Sequence, residues 1–139
     1  MKINTALILC AGYGKRLLPL TSDVPKPLLN VKNTNLLDNT LKFVQSIGIT
    51  KIKINIFYLG EQIKNFVDKQ NYPLNIDIVD DGEKLLDTGG GIYNLIKDSE
   101  EEDFLTLNPD TLWNSKYIKT FDEMQEFYFK NKIKNLLMV

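Results

Sequence analysis

Leu7-Ile8-Leu9-Cys10-Ala11-Gly12-Tyr13-Gly14-Lys15-Arg16-Leu17-Leu18-Pro19-Leu20-Thr21, closed after three intervening residues by Pro25-Lys26-Pro27, is the stretch that decides how this chain folds. An apolar run of strand formers stops at Gly12, a second glycine follows at Gly14, and cations arrive at Lys15, Arg16 and Lys26. Glycines let backbone N–H groups approach phosphate oxygens because no Cβ intervenes; Arg16 offers a planar fork and Lys26 a point charge. Pro25 and Pro27 restrict the backbone on both sides of Lys26, so the lysine is presented from a stiff segment. The pattern predicts a loop that handles phosphate. The simplest competing account is a tight strand-to-helix turn carrying surface cations. Two better-known phosphate loops do not fit: a dinucleotide fingerprint needs a third glycine where Leu17 stands, and the spacing of a P-loop is absent.

The longer unbroken pattern G-Y-G-K-R-L-x-P-L-T-x-x-x-P-K-P-L, from Gly12 to Leu28, resembles the signature of the sugar-1-phosphate nucleotidylyltransferases. The resemblance implies an α/β fold, three-layered around a mostly parallel Rossmann-like sheet. It also implies transfer of a nucleotidyl group from an NTP to a sugar 1-phosphate, with release of pyrophosphate. By the same likeness, Ala11, Gly12, Tyr13, Gly14, Lys15 and Arg16 surround the nucleotide, Arg16 holds the β- and γ-phosphates, and Lys26 reaches the α-phosphate.

Composition sets bounds on that reading. The 139 residues suit a single domain with one core, and a hydrophobic share of 43% with 25% charged residues is ordinary for a globular protein. A net charge of −1 argues against general nucleic-acid binding, so any anion site must be local. There is no histidine, which rules out His-dependent bases, metal ligands and Ser–His chemistry. The lone Cys10 allows no internal disulfide and reads as a small core residue. No apolar run approaches the roughly 18 residues of a membrane span, and the expected location is cytoplasmic.

Beyond the loop, strands and helices alternate. Leu28–Val31 reads as a short extended segment. A helix carrying Leu36, Leu37, Leu41, Val44 and Ile47 stops at Gly48, and 51–58 reads as a strand with Ile52, Ile54 and Ile56 on one face and Lys51, Lys53 and Asn55 on the other. A short helix at 61–69, an edge strand at 74–79, a helix near 91–97, a strand at 104–107, a helix through 121–129 and a final strand beginning at Leu136 complete the expectation. Such alternation implies right-handed crossovers and a sheet covered on both faces. The acidic run 98–103 reads as a solvated turn.

Two later stretches bear on chemistry. Leu85-Leu86-Asp87-Thr88-Gly89-Gly90-Gly91-Ile92 places glycines at a helix start, which is either a flexible turn or a bare backbone wall against a nucleobase and ribose. It resembles segments of the N-acetylmuramate-1-phosphate uridylyltransferase and mannose-1-phosphate guanylyltransferase branches. That likeness makes Glu83, Thr88 and Gly89 candidate nucleotide contacts and UTP the favoured nucleotide. In Asn108-Pro109-Asp110, a carboxylate follows an apolar strand at the position where open α/β sheets bind ligands. A strand-end aspartate is otherwise a capping or turn residue, but an NTP arrives with Mg²⁺, which takes one or two carboxylates. In the family this segment reads N/S-x-D and its aspartate holds the metal, so Asp110 is the candidate Mg²⁺ ligand and Asn108 a nucleotide contact. Pro109 departs from the commoner glycine or serine. Trp113 reads as a packing residue.

Catalytic domains of the family are considerably longer than this chain, so residues 1–139 read as a partial, C-terminally incomplete domain holding the nucleotide-binding half. An incomplete final strand would leave an exposed edge through which two copies could pair as a homodimer. A nucleotide-binding module without catalysis is the alternative function.

Overall fold

In the computed structural model, which describes residues 1–139 throughout, the Leu7-Ile8-Leu9 run lies in β1 (Thr5–Leu9), and β1 is central to the sheet. The remaining elements are a two-strand ribbon of β2 (Asn30–Val31) and β3 (Thr34–Asn35), then α1 (Leu36–Ser46), β4 (Lys51–Ile56) and α2 (Gly60–Gln70). After these come β5 (Asn75–Asp80), α3 (Thr88–Ile96), β6 (Phe104–Leu107) and α4 (Lys116–Lys130). The four main strands are all parallel, in the order β5-β4-β1-β6. The chain therefore builds outward from β1 to β5, then returns to lay β6 on the other side of β1. That reversal opens a crevice beyond the carboxyl ends of β1 and β6, where open α/β sheets take their ligands.

Alternation along each strand sorts the core. Ala6, Ile8, Ile52, Ile54, Ile56 and Leu107 face Leu37, Leu41 and Val44 of α1, Ile63 and Val67 of α2, and Phe121 of α4. On the opposite face α3 covers β1 and β4, burying Leu7, Asn55 and its own Leu95. The polar side of β4 is thus covered beyond the exposed Lys51: Lys53 Nζ donates to the Leu95 carbonyl at 2.9 Å and to Ser99 Oγ at 2.6 Å. A cation at a helix C-terminus also complements the helix dipole. The fold is the α/β, Rossmann-like architecture expected, with helices on both faces.

Boundaries moved where local chemistry demanded it. α3 starts at Thr88, three residues before the expected Gly91, so the glycines form its first turn. Gly48 follows α1 with φ +81°, the left-handed geometry of a residue just past a helix end. Lys26–Leu28 coils into a single 3₁₀ turn, leaving only Asn30 and Val31 of the expected extended segment to pair with β3.

Two expectations fail. The acidic run is not simply solvated: Glu101 accepts from Thr5 Oγ1 and from Lys51 Nζ (2.9 Å), and Asp103 accepts from Tyr128 Oη at 2.7 Å. Hydrogen bonds from Thr5 and Lys51 hold the Glu101 carboxyl below its usual range. The final apolar run forms no strand. Leu136 to Val139 is irregular, with Leu137 80% exposed, because it has no laddered neighbour to satisfy its backbone groups. Its residues instead border an apolar cavity of about 600 Å³ that follows β6. The unpaired edge on that side of the sheet therefore belongs to β6. No helix is long and apolar enough to cross a membrane.

Candidate functional site

The crevice is built from two strand ends. Past β1, the loop turns at Gly14, whose φ of +64° lies in the left-handed region; a Cβ there would come within 2.9 Å of Thr21 Cγ2. Thr21 is fully buried and its hydroxyl donates to the Gly14 carbonyl at 2.8 Å. Tyr58 Oη donates to the Thr21 carbonyl (2.7 Å) and Gln62 Nε2 to that of Asp23 (2.8 Å), so the segment leading to Lys26 is tied to the β4–α2 connection and the first turn of α2. Gly14 thus serves the fold. Gly12 differs, because an added Cβ there meets nothing within 4 Å. The protein itself does not require glycine at position 12.

Lys26 and Asp110, 84 residues apart in sequence, meet with Nζ 2.6 Å from Oδ2. Pro25 sits at φ −66° with buried Pro27 beyond it, while buried Pro109 fixes the turn after β6. Lys26, Pro27, Pro109 and Asp110, together with Leu9, Gly12 and Asn108, line a cavity of about 110 Å³. The larger apolar cavity along β6 carries no comparable charge pair and marks the open sheet edge.

Arg16 is not part of this cluster. It is exposed on the 3₁₀ turn Lys15–Leu17, forms no ion pair and does not border the small cavity. Lys15 Nζ lies 5.1 Å from the centre of the Tyr13 ring, which packs at 5.6 Å and 5.3 Å from the rings of Phe57 and Tyr58. Tyr13 therefore anchors the loop through its ring, which stays 37% exposed. Ala11 is buried at the start of the loop. Thr88 and Gly89 are exposed in the first turn of α3, and a Cβ at Gly89 meets nothing within 4 Å. Glu83 is exposed in the β5–α3 connection with no polar partner. Trp113 stacks on Phe43 at 4.8 Å and 11° and meets Tyr117 edge-on, so it packs. Burial pushes the Cys10 thiol up, as befits a core residue rather than a nucleophile.

The nucleotidyl transferase family model matches residues 5–134, nearly the whole chain. The chain belongs to this family. It is 36% identical over 117 residues to the N-acetylmuramate alpha-1-phosphate uridylyltransferase of Neisseria meningitidis, an alignment that covers 84% of the chain and 51% of that protein. It is 32% identical over 127 residues to a probable mannose-1-phosphate guanylyltransferase of rice, covering 88% of the chain and 34% of the relative. The crystal structure of HddC from Yersinia pseudotuberculosis superposes with a TM-score of 0.72 at 29% identity, covering 88% of this chain and 54% of the other. The chain thus spans about half the length of such relatives or less. Uridylyl and guanylyl transferases both occur among them, so family membership alone does not choose the base.

Within this nucleotidyl transferase fold, sequence reading missed Asn55 and Asp81. Cys10 N–H donates to Asn55 Oδ1 and Asn55 Nδ2 to Asp81 Oδ2, both at 2.9 Å, beneath the loop. The signal was there: Asn55 lies on the lysine-bearing side of β4, one strand position from the carboxyl end, and was grouped with that side. As for a metal, no cluster of three or more acidic, cysteine or histidine residues exists. Asp110, with one oxygen free of Lys26 and its side chain 44% exposed, fits one of the one or two carboxylates that a nucleotide-borne Mg²⁺ takes.

Proposed function

We propose that this chain binds an NTP with Mg²⁺ in the crevice between β1 and β6 and belongs to an enzyme that transfers its nucleotidyl group to a sugar 1-phosphate in the cytoplasm. UTP and an N-acetylated muramate-type 1-phosphate are the favoured pair, supported by the 36% identity to the Neisseria uridylyltransferase. The observation that carries the reading is the Lys26–Asp110 pair beside Gly12: a cation for phosphate and a carboxylate for metal on one rim.

The chemistry asks little of the side chains. A phosphate oxygen of the sugar 1-phosphate, already anionic, attacks the α-phosphorus; the bond to the β-phosphate breaks and pyrophosphate leaves. No general base is needed, in keeping with a chain that lacks histidine. Catalysis then reduces to holding two polyanions in line and balancing charge. Mg²⁺ would supply charge neutralisation and orientation of the phosphates. Lys26 turns from Asp110 to the α-phosphate, and the loop amides from Gly12 to Lys15 take the terminal phosphates. Arg16 joins them by swinging its free guanidinium inward.

The test is titration with UTP, GTP, CTP and dTTP plus Mg²⁺, followed by pyrophosphate release with candidate sugar phosphates. Lys26→Ala should cut turnover about 10²–10³-fold with folding intact, since one donor aimed at developing charge is worth that much. Unchanged turnover in that variant removes Lys26 from the mechanism. A second reading, a nucleotide-binding module without turnover, draws on the coverage of only 51% of the Neisseria relative. Binding without pyrophosphate release selects it.

A further inference from the structure

A polar chain runs under the crevice that the reaction itself does not use. The Cys10 amide, one residue past β1, donates to Asn55 Oδ1 at 2.9 Å; Asn55 Nδ2 donates to Asp81 Oδ2 at 2.9 Å; Asn94 Nδ2 of α3 donates to Asp81 Oδ1 at 3.0 Å. Asn55 is 3% and Asp81 9% exposed. Asp81 has no lysine or arginine partner, so its buried charge is met only by amides. A buried carboxylate without a cation is a costly way to fill space, and an aliphatic pair would serve packing alone as well or better. What an aliphatic residue cannot do is accept from the glycine loop and donate toward α3 at once. Gly91 lies directly against the pair: a Cβ there would stand 2.7 Å from Asn55 Nδ2.

We propose that Asn55 and Asp81 are positioning residues that hold α3, through Asn94, at a fixed spacing from the Gly12 loop, so that the phosphate and nucleoside ends of one NTP are met together. This rests on the nucleotide reading given above. Neither residue touches the ligand. Their effect is a coupling: each end of the nucleotide has its own partner surface, and the polar chain sets the distance between the two.

Asn55→Asp and the double variant Asn55→Asp/Asp81→Asn test this. The single variant keeps an acceptor for the Cys10 amide but sets two carboxylates face to face, pushing α3 off the loop. In the double variant all three bonds return and only the one between 55 and 81 is reversed: the amide at 81 donates to the carboxylate at 55, its carbonyl still accepts from Asn94, and the carboxylate at 55 still accepts from the Cys10 amide. Calorimetry on the full chain, at a temperature where circular dichroism shows all forms folded, compares Mg²⁺–UTP with inorganic triphosphate. Asn55→Asp should lose about tenfold in UTP affinity while inorganic triphosphate, which meets only the loop, changes less than twofold, and the double variant should recover UTP binding. Wild-type UTP affinity in Asn55→Asp, equal losses for both ligands, or failure of the double variant to recover overturns the positioning role. Amide exchange over Gly91–Lys97 gives a readout independent of ligand. Protection should fall in the single variant and return in the double, and equal protection in all three also overturns the proposal. A wild-type chain that binds no nucleotide yet shows that exchange pattern overturns the nucleotide reading instead, leaving the link between loop and α3 standing.

Discussion

Gly89 and Gly91 lie two positions apart in the first turn of α3 and answer to different demands. A methyl at Gly91 meets Asn55 Nδ2 at 2.7 Å, whereas one at Gly89 points into open space. Gly91→Ala should therefore break the Asn55–Asp81 bond and destabilise the chain by about 1–3 kcal/mol, read as a lower urea midpoint. Gly89→Ala should leave that midpoint within about 0.5 kcal/mol of wild type yet weaken NTP binding, because the methyl would occupy space reserved for ligand. Unaltered NTP affinity in Gly89→Ala would show that no ligand approaches that backbone. The same logic separates Gly14, held by its left-handed φ and by Thr21, from Gly12, where an added Cβ meets nothing in the chain. Sequence reading treated Gly12 and Gly14 alike, and Gly89 and Gly91 alike, since a one-letter pattern carries neither φ nor neighbours.

Among the elements, α1 shows how polar bonds set an acid response. Asn35 Oδ1 caps the helix by accepting from the Asp38 amide at 2.8 Å. The Asp38 carboxylate accepts from Lys42 Nζ (2.7 Å), Thr34 Oγ1 (2.6 Å) and Tyr72 Oη (2.6 Å). Burial alone would raise the Asp38 pKa, but these three bonds outweigh it and hold it below the usual carboxylate value; burial and Asp38 together push Tyr72 up. A depressed folded value means that the stabilisation is complete above the unfolded carboxylate pKa, about 4, and is lost as pH falls through the folded value. Urea midpoints should accordingly be flat near neutrality and decline below about pH 4, and Asp38→Asn should flatten that decline, leaving a remainder from Glu101. An acid limb identical in Asp38→Asn would locate the effect elsewhere. Asp38 and Lys42 are a local i,i+4 pair, but the bonds from Thr34 and Tyr72 were not visible in the sequence, because they form only once the β2–β3 ribbon and the connection between α2 and β5 come together around α1.

Across the molecule, what was legible were the features that a strand pattern and a motif carry by themselves: β1, the loop, the carboxyl end of β6 and the parallel architecture. Lys26 and Asp110 could be paired in advance because both follow strands that a Rossmann-like order makes neighbours. The expectation that Arg16 holds phosphate beside Lys26 is not met by its position, since an exposed cation on a 3₁₀ turn has no packing to fix its direction. The last apolar run was misread as a strand because periodicity reports what a segment could pair with, not whether a partner is there; β6 keeps a free edge beside the 600 Å³ cavity instead. An open edge of four residues, Phe104–Leu107, is where a further strand or second copy would add.

The central claim is that one rim, formed by Gly12, Lys26 and Asp110, receives both the phosphates and the metal of a nucleotide. The most direct test is a crystal soaked with a non-hydrolysable UTP analogue and Mn²⁺, with anomalous data collected at the manganese edge. The account predicts an anomalous peak at the Asp110 carboxylate, triphosphate density over the loop amides from Gly12 to Lys15, and Lys26 Nζ drawn off its 2.6 Å contact with Asp110 onto a phosphate oxygen. Nucleotide density elsewhere on the molecule, with the Lys26–Asp110 pair intact and no metal beside it, would contradict it.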